Sequence, residues 1–143
     1  MPFISSANIA CGYHAGDEAT IKKTLSLAKT FQVAVGAHPS YPDRANFGRK
    51  EMDLPIHEIK SLVIEQVRLV QSLAEAIGLG VHHVKPHGAL YNKAAKDEAT
   101  AIAIAEAVYA IDPSLILLGL ANSESGKAAK KLGLPFYLSL IHI

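Results

Sequence analysis

The chain has 143 residues, enough for one domain, and half of them are hydrophobic. The 14 basic and 13 acidic residues give a formal charge of +1, so neither the basic surface of a nucleic-acid binder nor that of a membrane-surface protein is expected. The single cysteine, Cys11, excludes an internal disulfide and is typical of a reducing compartment. With no signal-peptide pattern and no apolar run of spanning length, a cytoplasmic protein without membrane contact is predicted.

Short apolar runs alternate with longer helical patterns in the first part of the chain. FISSANIA predicts a strand, and a helix is expected over 16–31 with Asp17 as its N-cap. VAVGAH (33–38) predicts a second strand, followed by a loop of about a dozen residues, PSYPDRANFGRK (39–50). This loop is longer than most βα connections, which is typical of loops that carry function. The longest helix is predicted from about Pro55 to Ile77, because apolar residues recur there at helical spacing.

The same alternation continues to the end of the chain. Strands are predicted over 81–86, 114–120 and 134–143, and helices over 97–111 and 123–133. A βαβαβαβαβ order predicts an α/β fold in which a parallel sheet is joined by right-handed crossovers. The two architectures that fit are a (β/α) barrel and an open doubly wound sheet, in either case as a single domain over 1–143.

Polar residues collect after the first three predicted strands, at the edge where both architectures bind ligands. At or after the strand ends they are Asn8, His14 and Asp17 for the first strand, His38, Tyr41 and Asp43 for the second, and His83, Lys85, His87, Tyr91 and Asn92 for the third. Alternate residues share a face of a strand, so His83, Lys85 and His87 are expected to form one column. Such a column is costly to bury unless it is hydrogen-bonded or binds something, so a functional site is predicted here.

Other residues have structural interpretations as well. Cys11 precedes His14 by three residues and could be a nucleophile beside a base, but a small buried thiol is the commoner state. Asp17 and Asp97 are expected to be helix caps, and Tyr41 and Tyr91 to line a pocket or simply pack. No functional role is assigned to His57, His82 or His142.

Histidines at three strand ends could hold a divalent metal ion. No HExxH helix is present, however, and no carboxylate ligand can be singled out, so the sequence leaves the metal open. Neither a P-loop for ATP nor a G-x-G-x-x-G dinucleotide fingerprint occurs.

Four motifs together resemble the LamB/YcsF family: SSANIACGYHAGD (5–17), GAHPSYPD with FGRK (36–50), HVKPHGALYN (83–92) and DPSLILLGLANSE (112–124). The resemblance runs from about Ile4 to Pro135. It implies a partial (β/α) barrel of the glycoside hydrolase/deacetylase type. It also implies a component of an ATP-dependent 5-oxoprolinase, which opens 5-oxoproline (pyroglutamate) to L-glutamate together with subunits B and C.

The resemblance and the strand-end positions together assign roles to seven residues. We predict catalytic roles for His38, Lys85 and His87, and substrate-binding roles for Asn8, His14, Tyr91 and Asn92. Lys85 suits the stabilisation of negative charge, and His38 or His87 suits acid–base work near neutral pH. ATP is the expected cosubstrate, since phosphorylation of the amide oxygen would activate an otherwise unreactive lactam.

The chain departs from the family pattern at both ends. Members are longer and begin with an acidic D-x-N-x-D-x-G-E strand that this sequence lacks. After the GLP motif they continue with a segment rich in charged residues, whereas FYLSLIHI follows here. The expectation is therefore an incomplete barrel, inactive alone, with a non-native tail after about Phe136. Two other hypotheses remain: a metal-dependent deacetylase-like hydrolase, and a non-catalytic fragment or binding subunit.

Overall fold

Parallel strands alternate with helices in the computed structural model, which describes residues 3–139. The elements are β1 (Ser6–Ala10), α1 (Glu18–Thr30), β2 (Ala34–His38), α2 (Ile56–Glu75), β3 (Val81–Val84), α3 (Gly88–Lys96), α4 (Glu98–Ile111), β4 (Ile116–Gly119), α5 (Glu124–Leu132) and β5 (Phe136–Leu138). No helix within residues 3–139 combines the length and the apolar character needed to cross a bilayer.

The five strands form one sheet in the order β1-β2-β3-β4-β5, and every neighbouring pair is parallel. Each crossover therefore advances by one strand in the same direction, and right-handed crossovers then place the helices on one face of the sheet. A doubly wound sheet needs a reversal of strand order, which the described strands do not show. Of the two architectures that the sequence allowed, the sheet has that of a partial barrel.

The hydrophobic core lies between the sheet and the helices. Strand residues that face the helices are buried and apolar: Ile9, Val35, Ala37, Val84 and Leu117. Those of β2 and β3 lie against α2, whose inner stripe contains Ile59, Val63, Val67 and Val70. Residues that alternate with these strand positions face the other side of the sheet, where polar groups are concentrated: Asn8, His38, His83 and Lys85.

Helix starts follow the predicted caps. Oδ1 of Asp17 accepts a hydrogen bond from the backbone N–H of Thr20 at 2.7 Å, and a carboxylate oxygen of Asp97 accepts from that of Thr100 at 2.9 Å. Both contacts satisfy N–H groups that a first helical turn leaves without a partner. These two predictions are confirmed.

One predicted boundary was wrong, and one helix was not predicted. β3 ends at Val84 rather than near 86, and the unpredicted helix α3 begins at Gly88. Pro86 lacks the N–H that sheet pairing needs, and Gly88 starts α3 with φ +56. With only nine residues, α3 offers too little periodicity to predict. Of the final predicted strand, Phe136–Leu138 is observed, and its continuation, which contains His142, lies outside the described residues.

A side-chain hydrogen bond crosses the middle strand on the polar face of the sheet. Nε2 of His83 donates to Oδ1 of Asn8 at 2.8 Å, and the backbone of Gly36 lies between these two residues in the strand register. A Cβ atom at position 36 would lie 2.1 Å from Nε2 of His83. Glycine therefore lets the imidazole ring cross β2 and connect β3 to β1.

We expect Gly36→Ala to lower the free energy of unfolding by about 1–3 kcal/mol, because the added methyl group displaces His83 from Asn8. Urea denaturation measures this change. Gly80→Ala is the matched control, since a Cβ there has no neighbour within 4 Å, and its effect should stay within about 0.5 kcal/mol. Equal effects of the two substitutions would show that the hydrogen bond between His83 and Asn8 does not require a glycine at position 36.

Candidate functional site

Three histidines from successive βα units meet at the carboxyl edge of the sheet. His14 follows β1, His38 ends β2 and His87 precedes α3. Each ring offers one nitrogen that lies within 4.8 Å of those of the other two. The rings of His14 and His87 are stacked with centroids 3.9 Å apart, and the His38 ring stands edge-on to both. The sequence placed these residues at strand ends, and the structure brings them together as the histidine cluster.

Backbone carbonyl groups fix the tautomers of two of these rings. Nδ1 of His38 lies 2.5 Å from the carbonyl oxygen of Lys85, and Nε2 of His87 lies 2.8 Å from that of Phe47. A carbonyl oxygen only accepts, so each of these nitrogens must carry the hydrogen. The remaining nitrogens, Nε2 of His38 and Nδ1 of His87, therefore hold lone pairs when the rings are neutral.

These two lone-pair nitrogens face each other at 2.9 Å. Two neutral rings with fixed tautomers have no proton to place between them, so the contact is repulsive as it stands. A proton or a metal ion between Nε2 of His38 and Nδ1 of His87 would relieve it. The arrangement thus has the character of a cation site rather than of an ordinary hydrogen bond.

A serine fixes the third ring. Oγ of Ser40 donates to the carbonyl oxygen of Tyr41 at 2.9 Å, so it can only accept from Nδ1 of His14, which lies 2.8 Å away. Nε2 of a neutral His14 ring is then the nitrogen that keeps its lone pair. All three imidazoles are therefore held by one nitrogen and have a lone pair on the other.

The surroundings favour neutral rings. Burial lowers the pKa of His38 to about 3 and that of His14 to about 4, and the nearby His87 adds to both effects. Burial also lowers the pKa of His87. Near pH 7 the cluster therefore consists of neutral imidazoles, the form in which histidine acts as a base or a ligand.

Lys85 is a buried cation beside the cluster. Its backbone N–H donates to the carbonyl oxygen of Ala37 at 2.9 Å, which sets it next to His38, and the residue is 8% exposed. Nζ lies 5.7 Å from the centre of the Tyr91 ring, and no carboxylate forms a salt bridge with it among residues 3–139. Burial lowers the pKa of this ammonium group. Because Lys85 forms no salt bridge among these residues, its ammonium group can pair with an anionic group of a ligand.

The long loop between β2 and α2 covers the histidine cluster. The Phe47 ring packs edge-on against His14 and His87, with centroid distances of 5.3 and 5.2 Å. A Cβ at Gly88 would lie 2.5 Å from the carbonyl oxygen of Gly48, so only glycine permits this approach of loop and helix. The predicted functional loop thus forms one wall of the site.

Arg44 joins the same loop to the segment after β1. Its guanidinium group donates to the carbonyl oxygen of Gly12 at 2.7 Å and to that of Gly16 at 2.8 Å. Those carbonyls flank His14 in the chain, so the arginine holds the first histidine segment against the loop that carries Phe47. Nothing in the sequence alone pointed to Arg44, because its partners are backbone atoms.

Gln66 is a second residue that sequence reasoning missed. It is 1% exposed on α2, where Oε1 accepts from the backbone N–H of Ser40 at 3.0 Å and Nε2 donates to its carbonyl oxygen at 2.9 Å. Because Ser40 in turn accepts from His14, Gln66 positions the first ring through the serine. The available signal was a polar residue inside the apolar stripe of the longest helix.

Three of the four predicted substrate-binding residues, Asn8, Tyr91 and Asn92, are not members of the histidine cluster. Asn8 is occupied by its hydrogen bond with His83, and Tyr91 packs near Lys85 with its buried hydroxyl unpaired within the described part of the chain. Asn92 is exposed and lines a surface depression with Arg49, Lys93 and Lys96, and none of the three histidines lines this depression. Substrate contact by these three residues stays a prediction.

Cys11 has the surroundings of a packing residue. The thiol is buried, its Sγ donates to the carbonyl oxygen of Ile9 at 3.4 Å, and burial raises its pKa to about 12. A thiol in that state is a poor nucleophile, so the packing interpretation is the one that fits. Among the other histidines, His57 is exposed on α2, and Nδ1 of His82 lies 3.1 Å from Nδ1 of His83.

The sequential parallel sheet and the polar strand-end site define an α/β chain of the barrel type. The family model for LamB/YcsF matches residues 1–141, and the chain belongs to this family. It is 53% identical over 134 residues to the A subunit of 5-oxoprolinase from Alkaliphilus metalliredigens, covering 94% of this chain and 52% of that protein. It is 54% identical to the protein of the same name from Tolumonas auensis, covering 94% and 53%.

A solved structure agrees with these relatives. The lactam utilization protein from Thermus thermophilus superposes with a TM-score of 0.94 at 48% identity, covering 96% of this chain and 56% of that one. The chain spans about half the length of the curated relatives it matches.

We expect Gln66→Leu to destabilise the chain by about 1–3 kcal/mol, because it leaves the N–H and carbonyl groups of the buried Ser40 without partners. Denaturant titration measures the change. Gln71→Leu, at a partly exposed position on the same helix, is the control, and it should shift stability by no more than about 0.5 kcal/mol. The positioning role of Gln66 is wrong if both substitutions have the same small effect.

Proposed function

We propose that this chain forms the substrate-facing part of the A subunit of an ATP-dependent 5-oxoprolinase, a cytoplasmic hydrolase that opens the cyclic amide 5-oxoproline to L-glutamate. Support comes from relatives named as the A subunit of 5-oxoprolinase and from a structural neighbour named for lactam utilization. The observation that carries the proposal is the buried Lys85, which lacks an anionic partner among the described residues and lies beside neutral imidazoles.

The chemistry of a lactam explains why such a site would be useful. Amide resonance protects the ring carbonyl from water, and transfer of a phosphoryl group from ATP to the amide oxygen would remove that protection. Ring opening then consumes one water, breaks the C–N bond and leaves the amine to take a proton. Release of phosphate consumes a second water, so the net products are glutamate, ADP and inorganic phosphate.

In this proposal Lys85 stabilises the negative charge that develops on the lactam oxygen or on the transferred phosphoryl group. His38 and His87 provide lone pairs beside it that can orient or deprotonate the attacking water. His14, Asn8, Tyr91 and Asn92 complete the set of residues to which we assign substrate contact.

The nucleotide requires further groups. Since the sequence has no P-loop, the phosphates of ATP would be held by a different arrangement or by a partner protein. The relatives are named as subunits, which supports assembly with partner proteins, and we propose subunits B and C for this role. The charge-stabilising residue would then lie on this chain, and part of the nucleotide machinery on its partners.

In the assembled enzyme, we expect Lys85→Met to reduce kcat/KM for 5-oxoproline by on the order of 10²–10³-fold, the scale of losing one charge-stabilising donor. ATP-dependent release of glutamate measures it, and circular dichroism checks that the fold is retained. Lys130→Met, at an exposed position on α5, is the control and should keep the parent rate. Turnover by Lys85→Met at the parent rate would favour a non-catalytic role for this chain.

A further inference from the structure

We propose that the histidine cluster is a binding site for one divalent transition-metal ion of the zinc type, with His14, His38 and His87 as its protein ligands. The ion would take the lone-pair nitrogens that point away from the backbone contacts. Three imidazoles suit zinc, cobalt or copper ions better than magnesium or calcium, which prefer oxygen ligands.

Each ring of the cluster already has the outer hydrogen bond of a metal ligand. Histidine ligands of metals almost always donate their other N–H to a carbonyl, a carboxylate or water, which fixes the tautomer. Here His38 donates to the Lys85 carbonyl, His87 to the Phe47 carbonyl and His14 to Oγ of Ser40. All three rings thus already make the outer hydrogen bond that is typical of a metal-binding histidine.

The spacing of the lone-pair nitrogens is close to that of a coordinated pair. Nε2 of His38 lies 2.9 Å from Nδ1 of His87. Two nitrogens bound to one tetrahedral zinc ion at 2.0–2.1 Å lie roughly 3.3 Å apart, so a small opening of this pair would suit the ion. A ring nitrogen of His14 lies within 4.8 Å of the other two, so it would move inward by at most roughly 1.5 Å. Metal binding converts a repulsive contact into two coordination bonds.

The charges around the cluster specify the remaining ligand. Three cations surround the cluster: Lys85 is buried next to it, Arg44 lies beside His14 and Arg49 lies beside His87. Within residues 3–139, no carboxylate forms an ion pair with any of the three histidines. The fourth position should therefore take an anion, either hydroxide from bound water or an anionic group of a ligand. An open fourth position is the usual arrangement of catalytic zinc sites.

This metal site rests on the geometry of the rings and is tested without substrate, nucleotide or partner subunits. If the protein binds no metal, the proposed reaction still holds, because the imidazoles can act as proton acceptors without a metal ion. Conversely, if Lys85→Met leaves kcat/KM unchanged, the metal site could still be present.

The test is titration of metal-stripped protein with Zn²⁺ by calorimetry and with Co²⁺ by visible absorption. His38→Asn and His87→Gln are chosen because each keeps an amide N–H near the backbone acceptor while removing the lone-pair nitrogen. We expect the parent to bind one equivalent of metal, and each variant to bind the metal at least about 100-fold more weakly. Loss of an outer hydrogen-bond partner alone lowers metal affinity about 10–100-fold, and these variants lose a ligand.

His57→Asn is the matched control, because His57 is exposed on α2, and it should bind metal as the parent does. The proposal is overturned if the parent binds no metal, or if His38→Asn and His87→Gln bind as tightly as His57→Asn. A Co²⁺ complex whose spectrum lacks the strong bands of a four-coordinate site would also count against it. That readout needs only the parent protein, so the test remains decisive even if a variant fails to fold.

Discussion

The hydrogen bond from Nδ1 of His38 to the carbonyl oxygen of Lys85 is the contact on which the site depends. It joins the end of β2 to the segment after β3 and fixes which nitrogen of His38 keeps a lone pair. It also holds Lys85 at the strand end, with its side chain on the polar face of the sheet. Because the acceptor is a backbone atom, this geometry does not depend on the rotamer of a further side chain.

The sheet topology explains why polar residues can be concentrated here. Sequential parallel strands place the helices on one face, and the hydrophobic core forms there. The opposite face is free to hold Asn8, His83 and Lys85 in adjacent strands. Hydrogen bonding between His83 and Asn8 offsets part of the cost of burying polar groups, and Lys85 is left available for another charge.

The sequence predicted much of this arrangement because its signals were local. Alternating apolar runs located the strands, Asp17 and Asp97 marked helix starts, and histidines after successive strands indicated one site. Choosing the barrel over the doubly wound sheet needed the strand order, which short-range patterns do not encode. Helix α3 was missed because nine residues after Gly88 carry little periodic signal.

Several features of the site could not be predicted because they rest on backbone partners distant in the chain. The carbonyl of Phe47 orients His87, and Gln66 on α2 positions Ser40 from 26 residues away. Such contacts leave no pattern in residue types, since any residue can supply a carbonyl. Only Gln66, as a polar residue in an apolar stripe, carried a signal within the sequence itself.

The site depends most directly on backbone acceptors that hold neutral His38 and His87 rings with their lone pairs converging. A long-range ¹H–¹⁵N spectrum of the histidine rings in metal-free protein near pH 7 measures this, with His38→Asn and His87→Gln assigning the signals. We expect a neutral Nδ1–H tautomer for His38 and a neutral Nε2–H tautomer for His87. A charged ring at either position, or the opposite tautomer, would contradict this description of the site.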